Sequence, residues 1–132
     1  MSQGKSFMAT ILVLALGATA GAAARYYGSL WALERFGPSF PYGTLAINVL
    51  GSLILGCFLN LAAARPSIGP QLRLLVATGF CGSFTTFSTF SFEAVALLNA
   101  GRYLACGLYL FGSMALGVAA VMLGALLVRL VA

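Results

Sequence analysis

The chain has 132 residues, of which 61% are hydrophobic and 7% are charged, and its formal net charge is +5. A domain of this length exposes too much of its surface to hide so much apolar area from water, which excludes a soluble globular fold. The chain contains no histidine and no aspartate, so an enzyme built on clustered titratable groups is also excluded. Lipid is the remaining solvent.

Four apolar stretches are long enough to cross a bilayer, which takes roughly 20 mostly apolar residues. Backbone groups in lipid must be satisfied within their own segment, so these stretches are predicted to be helices rather than strands. The sequence therefore predicts an all-α membrane protein with four transmembrane helices in a single domain, 1–132. The predicted spans are about 7–26, 44–64, 72–98 and 103–131.

The first span follows Lys5 and ends at Arg25. A basic residue, an apolar stretch and the small residues AGAAA (20–24) also resemble a cleavable secretory signal. The segment GATAG (17–21) favours a retained helix instead, because small residues four apart let two membrane helices pack closely. At the end of such a span, Arg25 is expected to extend to the membrane surface.

The second span contains one central polar residue, Asn48, followed by the small residues Ser52 and Gly56. A lone asparagine in a membrane helix most often joins two helices, which contributes roughly 1 kcal/mol. Its carboxamide also offers two N–H donors without a net charge, which suits a passing anion. Both roles remain open for Asn48.

The third span contains the unusual segment TGFCGSFTTFSTFSFEA (78–94). Gly79 and Gly82 loosen a helix, and a break at membrane depth is tolerated only where it is buried or faces water. Phe87 and Phe90 share a helical face and can present their positive ring edges to an anion. A packing stripe of phenylalanines is the alternative. The intervening hydroxyls can donate to an ion or bond back to helix carbonyls; they belong to Thr86, Ser88 and Thr89.

Two further sets of polar residues lie inside the spans. Glu93 is the only acid there; it can carry a proton, but pairing with a basic residue or capping a broken helix end is favoured. Tyr109 and Ser113 lie four residues apart in the fourth span, so their hydroxyls share one face. Helix packing alone also explains that pair.

In a membrane protein, basic residues mainly determine how the chain is oriented in the bilayer. No nucleic-acid partner is expected from them. Counting spans places four on one side of the membrane and three on the other. So small an asymmetry permits either a single orientation or insertion both ways, and the second would allow an antiparallel homodimer. The two sets are Lys5, Arg65, Arg73 and Arg129, and Arg25, Arg35 and Arg102.

The segment GFCGSFTTFSTFSFE (79–93) resembles the signature of the Fluc/CrcB family of fluoride channels. The segments GATAGAAARY (17–26) and GTLAINVLGS (43–52) resemble the first and second helices of that family, in the same order and spacing. The resemblance implies a dual-topology antiparallel homodimer with two fluoride pores in the inner membrane of a prokaryote. It also implies a broken third helix and passive export of cytoplasmic fluoride.

By the same resemblance, individual residues receive roles. The carbonyls of Gly82 and Thr85 from both subunits would hold a structural sodium ion, and Arg25 is the family's characteristic arginine. Ser83 and Gly117 depart from the family pattern, and Gly117 implies one hydroxyl fewer along the pore. The alternatives are a proton-coupled exporter, which would carry an acid in its first helix, and a purely structural assembly subunit. The residues implied to line the pore are Asn48, Phe87, Phe90, Tyr109 and Ser113, and the hydroxyl residues Thr86, Ser88 and Thr89 are predicted to line it with them.

Overall fold

The computed structural model describes residues 2–131, and this part of the chain is helical without any β-strand. The three longest helices are each long and apolar enough to cross a membrane, which confirms the all-α membrane class. A π-helix, Leu74–Cys81, lies between the third and fourth α-helices. The α-helices are α1 (Ser2–Phe36), α2 (Tyr42–Ala64), α3 (Pro70–Arg73), α4 (Gly82–Phe84), α5 (Phe87–Asn99) and α6 (Tyr103–Val131).

The predicted third span is broken, as expected, but not at its glycines. Gly82 has helical backbone angles (φ −63°, ψ −29°). The chain becomes extended only at Thr85 (ψ 156°) and Thr86 (φ −148°, ψ 117°). Gly79 has a packing role instead, because a side chain there would meet Gly17 of α1 at 3.0 Å. The break is therefore made by two threonines, and of the two glycines only Gly79 serves a close contact.

α1 continues well past the predicted end of the first span. Its 35 residues correspond to about 52 Å at 1.5 Å per residue, whereas the hydrocarbon core is about 30 Å thick. Gly37 ends the helix with a positive φ of 74°, and its N–H donates to the Leu33 carbonyl over 2.9 Å. Arg25 consequently lies roughly 16 Å before the helix end at 1.5 Å per residue. The helix therefore extends beyond the predicted first span, and the expectation that Arg25 ends that span stays a prediction.

Glycines allow the helices to approach through their backbones. A side chain at Gly17 or Gly21 of α1 would collide with the carbonyl oxygens of Leu75 and Phe80, respectively. This close approach is what the GATAG segment predicts. Between α2 and α6, a Cβ on Gly124 would lie 2.7 Å from the Leu53 carbonyl oxygen. α1 therefore packs on the first half of the third span, and α2 packs on α6.

Most of the apolar surface of the long helices faces outward in the single chain. In the most apolar 18-residue segment of each helix, only 11% of the residues of α1 are buried, against 22% in α2 and 17% in α6. Exposed apolar area of this extent is compatible with lipid or with a protein partner, and not with water. At one end of the molecule, Arg73 ties the α2–α3 connection by donating to the carbonyls of Ala62 and Ile68.

Candidate functional site

Asn48 of α2 satisfies the backbone that the helix break exposes. Its Nδ2 donates to the Thr86 carbonyl over 3.1 Å, and its Oδ1 accepts from the Thr86 N–H over 2.8 Å. An extended residue inside a membrane needs such partners, because no water is present to replace the lost helical bonds. Asn48 therefore joins α2 to α5 at the break, which is the helix-joining role that the sequence left open for it. One N–H of its amide is not used by these two bonds.

The hydroxyls next to the break stabilise the ends of the two half-helices. Thr86 is the N-cap of α5, where its Oγ1 accepts from the Thr89 N–H over 3.2 Å and donates to the Thr89 Oγ1 over 3.0 Å. Thr85 closes the preceding turn by donating its hydroxyl to the Cys81 carbonyl over 2.9 Å. Ser91 bonds back to the Phe87 carbonyl. Capping and back-bonding therefore account for much of the hydroxyl-rich pattern.

A groove of about 360 Å³ lies beside the break, and none of its lining residues is charged. We call it the uncharged groove. Phe87 is 78% exposed and Phe90 is 9% exposed, and their ring centroids are 5.9 Å apart. The Ser113 Oγ is buried without a hydrogen-bond partner among the described residues. The predicted pore residues that line this groove are Asn48, Thr86, Phe87, Phe90 and Ser113.

Glu93 forms a second polar centre with two hydroxyls. Thr44 donates to Oε1 over 2.9 Å, and Tyr109 donates to Oε2 over 2.7 Å. Both carboxylate oxygens accept from hydroxyls, so within the described residues the partners of Glu93 are neither a basic residue nor a helix end. The structural role expected of Glu93 stays a prediction. Tyr109 is fully buried, and its ring lies 5.0 Å from that of Phe90. Tyr109 and Ser113 thus belong to neighbouring sites on one side of α6.

Arg25 approaches the break from the opposite side. Its Nε donates to the Ser83 carbonyl over 3.0 Å, an oxygen that a continuous helix would pair with the Phe87 N–H. Around it lies a broad surface depression of about 860 Å³, which we call the arginine depression. Ser88 faces this depression rather than the uncharged groove. The depression also includes Gly82, Ser83 and Thr85.

The Gly82 carbonyl loses its helical donor at the break. In a continuous helix it would accept from the Thr86 N–H, but that N–H donates to Asn48. Gly82 itself is exposed, and no atom lies within 4 Å of the place where a Cβ would sit. Among the residues with described side chains, no group of three or more histidine, cysteine, aspartate or glutamate side chains can hold a metal ion. Any cation at the break would therefore rely on carbonyl oxygens.

Sequence reasoning did not assign a role to Thr44. The available signal was its position four residues before Asn48, which places two polar side chains on one face of α2. Arg102 and Phe40 were missed as well, since their roles depend on contacts between the α1–α2 and α5–α6 connections. The Arg102 guanidinium donates to the Ser39 carbonyl, and the Phe40 ring lies 5.6 Å from that of Tyr109.

Comparison with known proteins gives consistent matches over most of the chain. Residues 12–125 match a family model described as "CrcB-like protein, Camphor Resistance (CrcB)". A relative from Roseiflexus sp. (strain RS-1) is 50% identical over 115 residues, which cover 87% of this chain and 93% of the relative. One from Rhizobium etli (strain CIAT 652) is 45% identical over 125 residues, 95% of this chain and 100% of the relative. Both relatives are named fluoride-specific ion channel FluC.

Proposed function

Since its sequence matches the family model over most of its length, the chain belongs to the CrcB family, and we propose that it is a fluoride-selective ion channel. The resemblance found in the sequence is thereby confirmed. The named relatives are channels and not enzymes, which confirms that the chain is not an enzyme. It is a multi-pass membrane protein, and we place it in the inner membrane of a prokaryotic cell.

The uncharged groove is the observation that carries this proposal. Fluoride is small and strongly hydrated, so a pore must replace its water with several donors that converge on one path. The groove offers the remaining N–H of Asn48, the unpartnered hydroxyl of Ser113 and the ring edges of Phe87 and Phe90. Ring edges carry partial positive charge and complete such a donor set.

The absence of charge along the groove suits conduction rather than storage of the ion. A lysine or arginine in the path would bind fluoride firmly, whereas conduction needs binding weak enough for the ion to leave. The groove lining contains no charged side chain. It also contains no carboxylate, so nothing there supports the proton-coupled exporter considered from the sequence. Flow would be passive and would release fluoride from the cytoplasm.

A second copy of the chain would complete the site. Arg25 is half-buried, and one of the five N–H groups of its guanidinium donates to the Ser83 carbonyl. An arginine deep in a membrane is costly unless protein or water surrounds it. A partner covering the arginine depression would supply those surroundings and would bury the exposed Gly82. We propose an antiparallel homodimer with two pores, as the family resemblance implies.

A structural sodium ion fits the same surface. Carbonyl oxygens at a helix C-terminus carry partial negative charge and are suitable ligands for a hard cation. The break releases the Gly82 carbonyl from its helical donor, and Thr85 follows in extended conformation. In a symmetric dimer, the two carbonyls of each subunit would meet at the centre. Replacing sodium with N-methylglucamine should then destabilise the dimer, and indifference to the cation would contradict the site.

Efflux from liposomes tests the proposed channel. Purified protein is reconstituted into vesicles loaded with fluoride or chloride, and a potassium ionophore removes the opposing potential. We expect rapid fluoride release and little chloride release, because the donors of the groove are close-set and uncharged. Equal rates for the two anions would overturn the proposal. Protein-free vesicles provide the baseline.

Labelling of the chain termini tests the two-way insertion. A cysteine-reactive or protease-sensitive tag at one terminus should be reached from both sides of the membrane in the wild type. Adding two lysines to the α2–α3 connection, or two to the α5–α6 turn, should bias insertion in opposite directions. Each biased variant should lose flux alone, and co-expression should restore it. Labelling from one side only, with both variants active alone, would contradict the antiparallel dimer.

A further inference from the structure

A second cavity, of about 430 Å³, lies between the α1–α2 connection and α5. We call it the carboxylate cavity, because Glu93 forms part of its wall. It is distinct from the uncharged groove, with which it shares no lining residue. The residues important for its chemistry are Ser39, Phe40, Thr44, Thr89, Glu93 and Arg102.

A single layer of side chains separates this cavity from the uncharged groove. Thr89 lines the cavity, and its hydroxyl accepts from that of Thr86, which lines the groove, over 3.0 Å. Phe90 lines the groove, and its ring lies 5.0 Å from Tyr109, whose hydroxyl donates to Glu93. The two spaces are therefore consecutive compartments along α5. An anion leaving the groove at this end would therefore meet the carboxylate cavity next.

The charges of the carboxylate cavity raise a difficulty for an anion. Glu93 would repel fluoride, even though Thr44 and Tyr109 each donate to one of its oxygens. Arg102 is the only basic residue among those lining the cavity. A positive charge beside a cavity raises the local anion concentration. Arg102 is itself exposed, so its effect should depend on ionic strength.

The backbone around Arg102 is fixed by hydrogen bonds. Gly101, with φ 71°, reverses the chain after α5. The Arg102 N–H then donates to the Leu97 carbonyl, and the Arg102 carbonyl accepts from the Cys106 N–H, both over 2.9 Å. The Arg102 guanidinium donates one of its five N–H groups to the Ser39 carbonyl. The positive charge is thus held beside the cavity, and the other N–H groups of the guanidinium are not used by this bond.

We propose that the carboxylate cavity is the mouth of the pore at the Glu93 end, and that Arg102 concentrates anions there. The inference rests on the proposed channel function and adds a residue to its pathway. Arg102 lies outside the uncharged groove, so it offsets the repulsion by Glu93 without binding the ion inside the pore. The α1–α2 connection, tied to Arg102 through Ser39, forms the outer wall of this mouth.

Substitution of Arg102 separates its charge from its hydrogen bond. Arg102→Gln removes the charge and keeps an N–H donor for Ser39, whereas Arg102→Lys keeps both. At low fluoride concentration, we expect Arg102→Gln to slow efflux by up to about tenfold, the lower end of electrostatic focusing effects. Arg102→Lys should keep most of the wild-type rate. The difference should shrink at saturating fluoride and at high ionic strength, where charges are screened. Arg35→Gln, at the same end of the molecule, is the matched control.

Arg102→His gives a second and independent measurement, which also serves if Arg102→Gln does not assemble. The chain has no histidine of its own, so a new titration near the usual pKa of about 6.5 belongs to position 102. Efflux through this variant should be faster at pH 6, where the imidazole is charged, than at pH 8. The wild type and Arg35→His should not show that difference.

The outcomes distinguish this inference from the channel assignment. If the wild type does not conduct fluoride, the proposed function itself fails. If the wild type conducts but Arg102→Gln keeps the wild-type rate at low fluoride, the mouth assignment is wrong. An equal, salt-independent loss in Arg102→Gln and Arg102→Lys, with no pH effect in Arg102→His, would also overturn it. Arg102 would then serve only to hold the α1–α2 connection in place.

Discussion

The two halves of the broken third span are built on different principles. The first half, from Pro70 to Phe84, lies against α1 at glycines, where the two backbones approach each other closely, and Arg25 adds one hydrogen bond to the Ser83 carbonyl. The second half, α5, is tied to its neighbours by polar side chains. Asn48 bonds the residue that caps it, and Glu93 connects it to Thr44 and Tyr109.

This difference assigns separate tasks to neighbouring segments of one span. Backbone contacts through glycine tolerate no added atom, so the first half is suited to fixing the fold. Side-chain hydrogen bonds leave donors available beside a groove, so the second half is suited to handling an ion. Substitutions in the first half should therefore affect assembly, and substitutions around the second half should affect flux while the protein still folds.

The largest effect is expected at the backbone contact of α1. Gly17→Val places methyl groups against the Leu75 carbonyl oxygen. Overpacking typically costs about 1–3 kcal/mol, and a backbone neighbour cannot move aside as a side chain can. We expect most of the folded protein to be lost, as measured by size-exclusion profile and thermal unfolding. Gly107→Val is the control, because no atom lies within 4 Å of a Cβ at Gly107; equal stability of the two variants would contradict the comparison.

The next largest effect is expected at Asn48. Asn48→Asp can still accept from the Thr86 N–H, so the helix break retains one of its two bonds. The aspartate replaces the N–H donors with negative charge, which repels fluoride. Losing a hydrogen bond to a charged group costs about 1.5–3 kcal/mol, so we expect a roughly ten- to hundredfold loss of flux. Asn60→Asp on the same helix should be much milder, and unchanged flux in Asn48→Asp would reduce Asn48 to a packing role.

The two phenylalanines of the groove should separate flux from stability. Ring-edge contacts contribute about 0.5–1.5 kcal/mol, so Phe87→Ala and Phe90→Ala should each slow fluoride efflux by about three- to tenfold. Phe90 is buried and should also lose stability, whereas Phe87, at 78% exposure, should not. Phe92→Ala, exposed on α5 outside the groove, is the control. Full flux in both groove variants would mean that the rings serve packing alone.

The smallest effect is expected at Ser113. Its hydroxyl has no protein partner in the described part of the chain, so Ser113→Ala removes a buried polar group without breaking a bond within the protein. Stability should stay the same or rise slightly, and efflux should fall about threefold, which lies near the lower end of the roughly 0.5–1.5 kcal/mol that a hydrogen bond contributes. Ser91→Ala, which loses a bond to the Phe87 carbonyl, provides a comparison with the opposite pattern. Reduced stability with unchanged flux in Ser113→Ala would contradict a role in the path.

The sequence predicted the class of fold because hydropathy and length determine how a chain fits a bilayer. It also predicted a break in the third span, since glycines and hydroxyl residues interrupt an apolar segment there. The place of the break was harder, because Thr85 and Thr86 become extended only where Asn48 supplies replacement hydrogen bonds. That bond joins two helices, and no local pattern contains it.

The candidate site likewise consists of residues that the sequence predicted and of contacts that it did not. The groove residues Asn48, Phe87 and Phe90 were found, because polar and aromatic groups inside a span are conspicuous. The hydrogen-bond partners of Glu93 and Arg25 were not predicted. In both cases the sequence suggests a charge that seeks another charge or the membrane surface, whereas the fold provides hydroxyls for Glu93 and a carbonyl for Arg25. Only the packed structure shows which neutral group is near.

Three arginines bind main-chain oxygens rather than carboxylates, and this has an evolutionary consequence. Arg25, Arg73 and Arg102 donate to carbonyls that belong to Ser83, Ala62 and Ile68, and Ser39. Every amino acid has a carbonyl, so these partners cannot be lost by substitution. The constraint on each pair is one-sided: the arginine must persist, while the residue that supplies its oxygen is free to drift. Paired substitutions, by which charged contacts are usually traced through a lineage, would leave no record of these three.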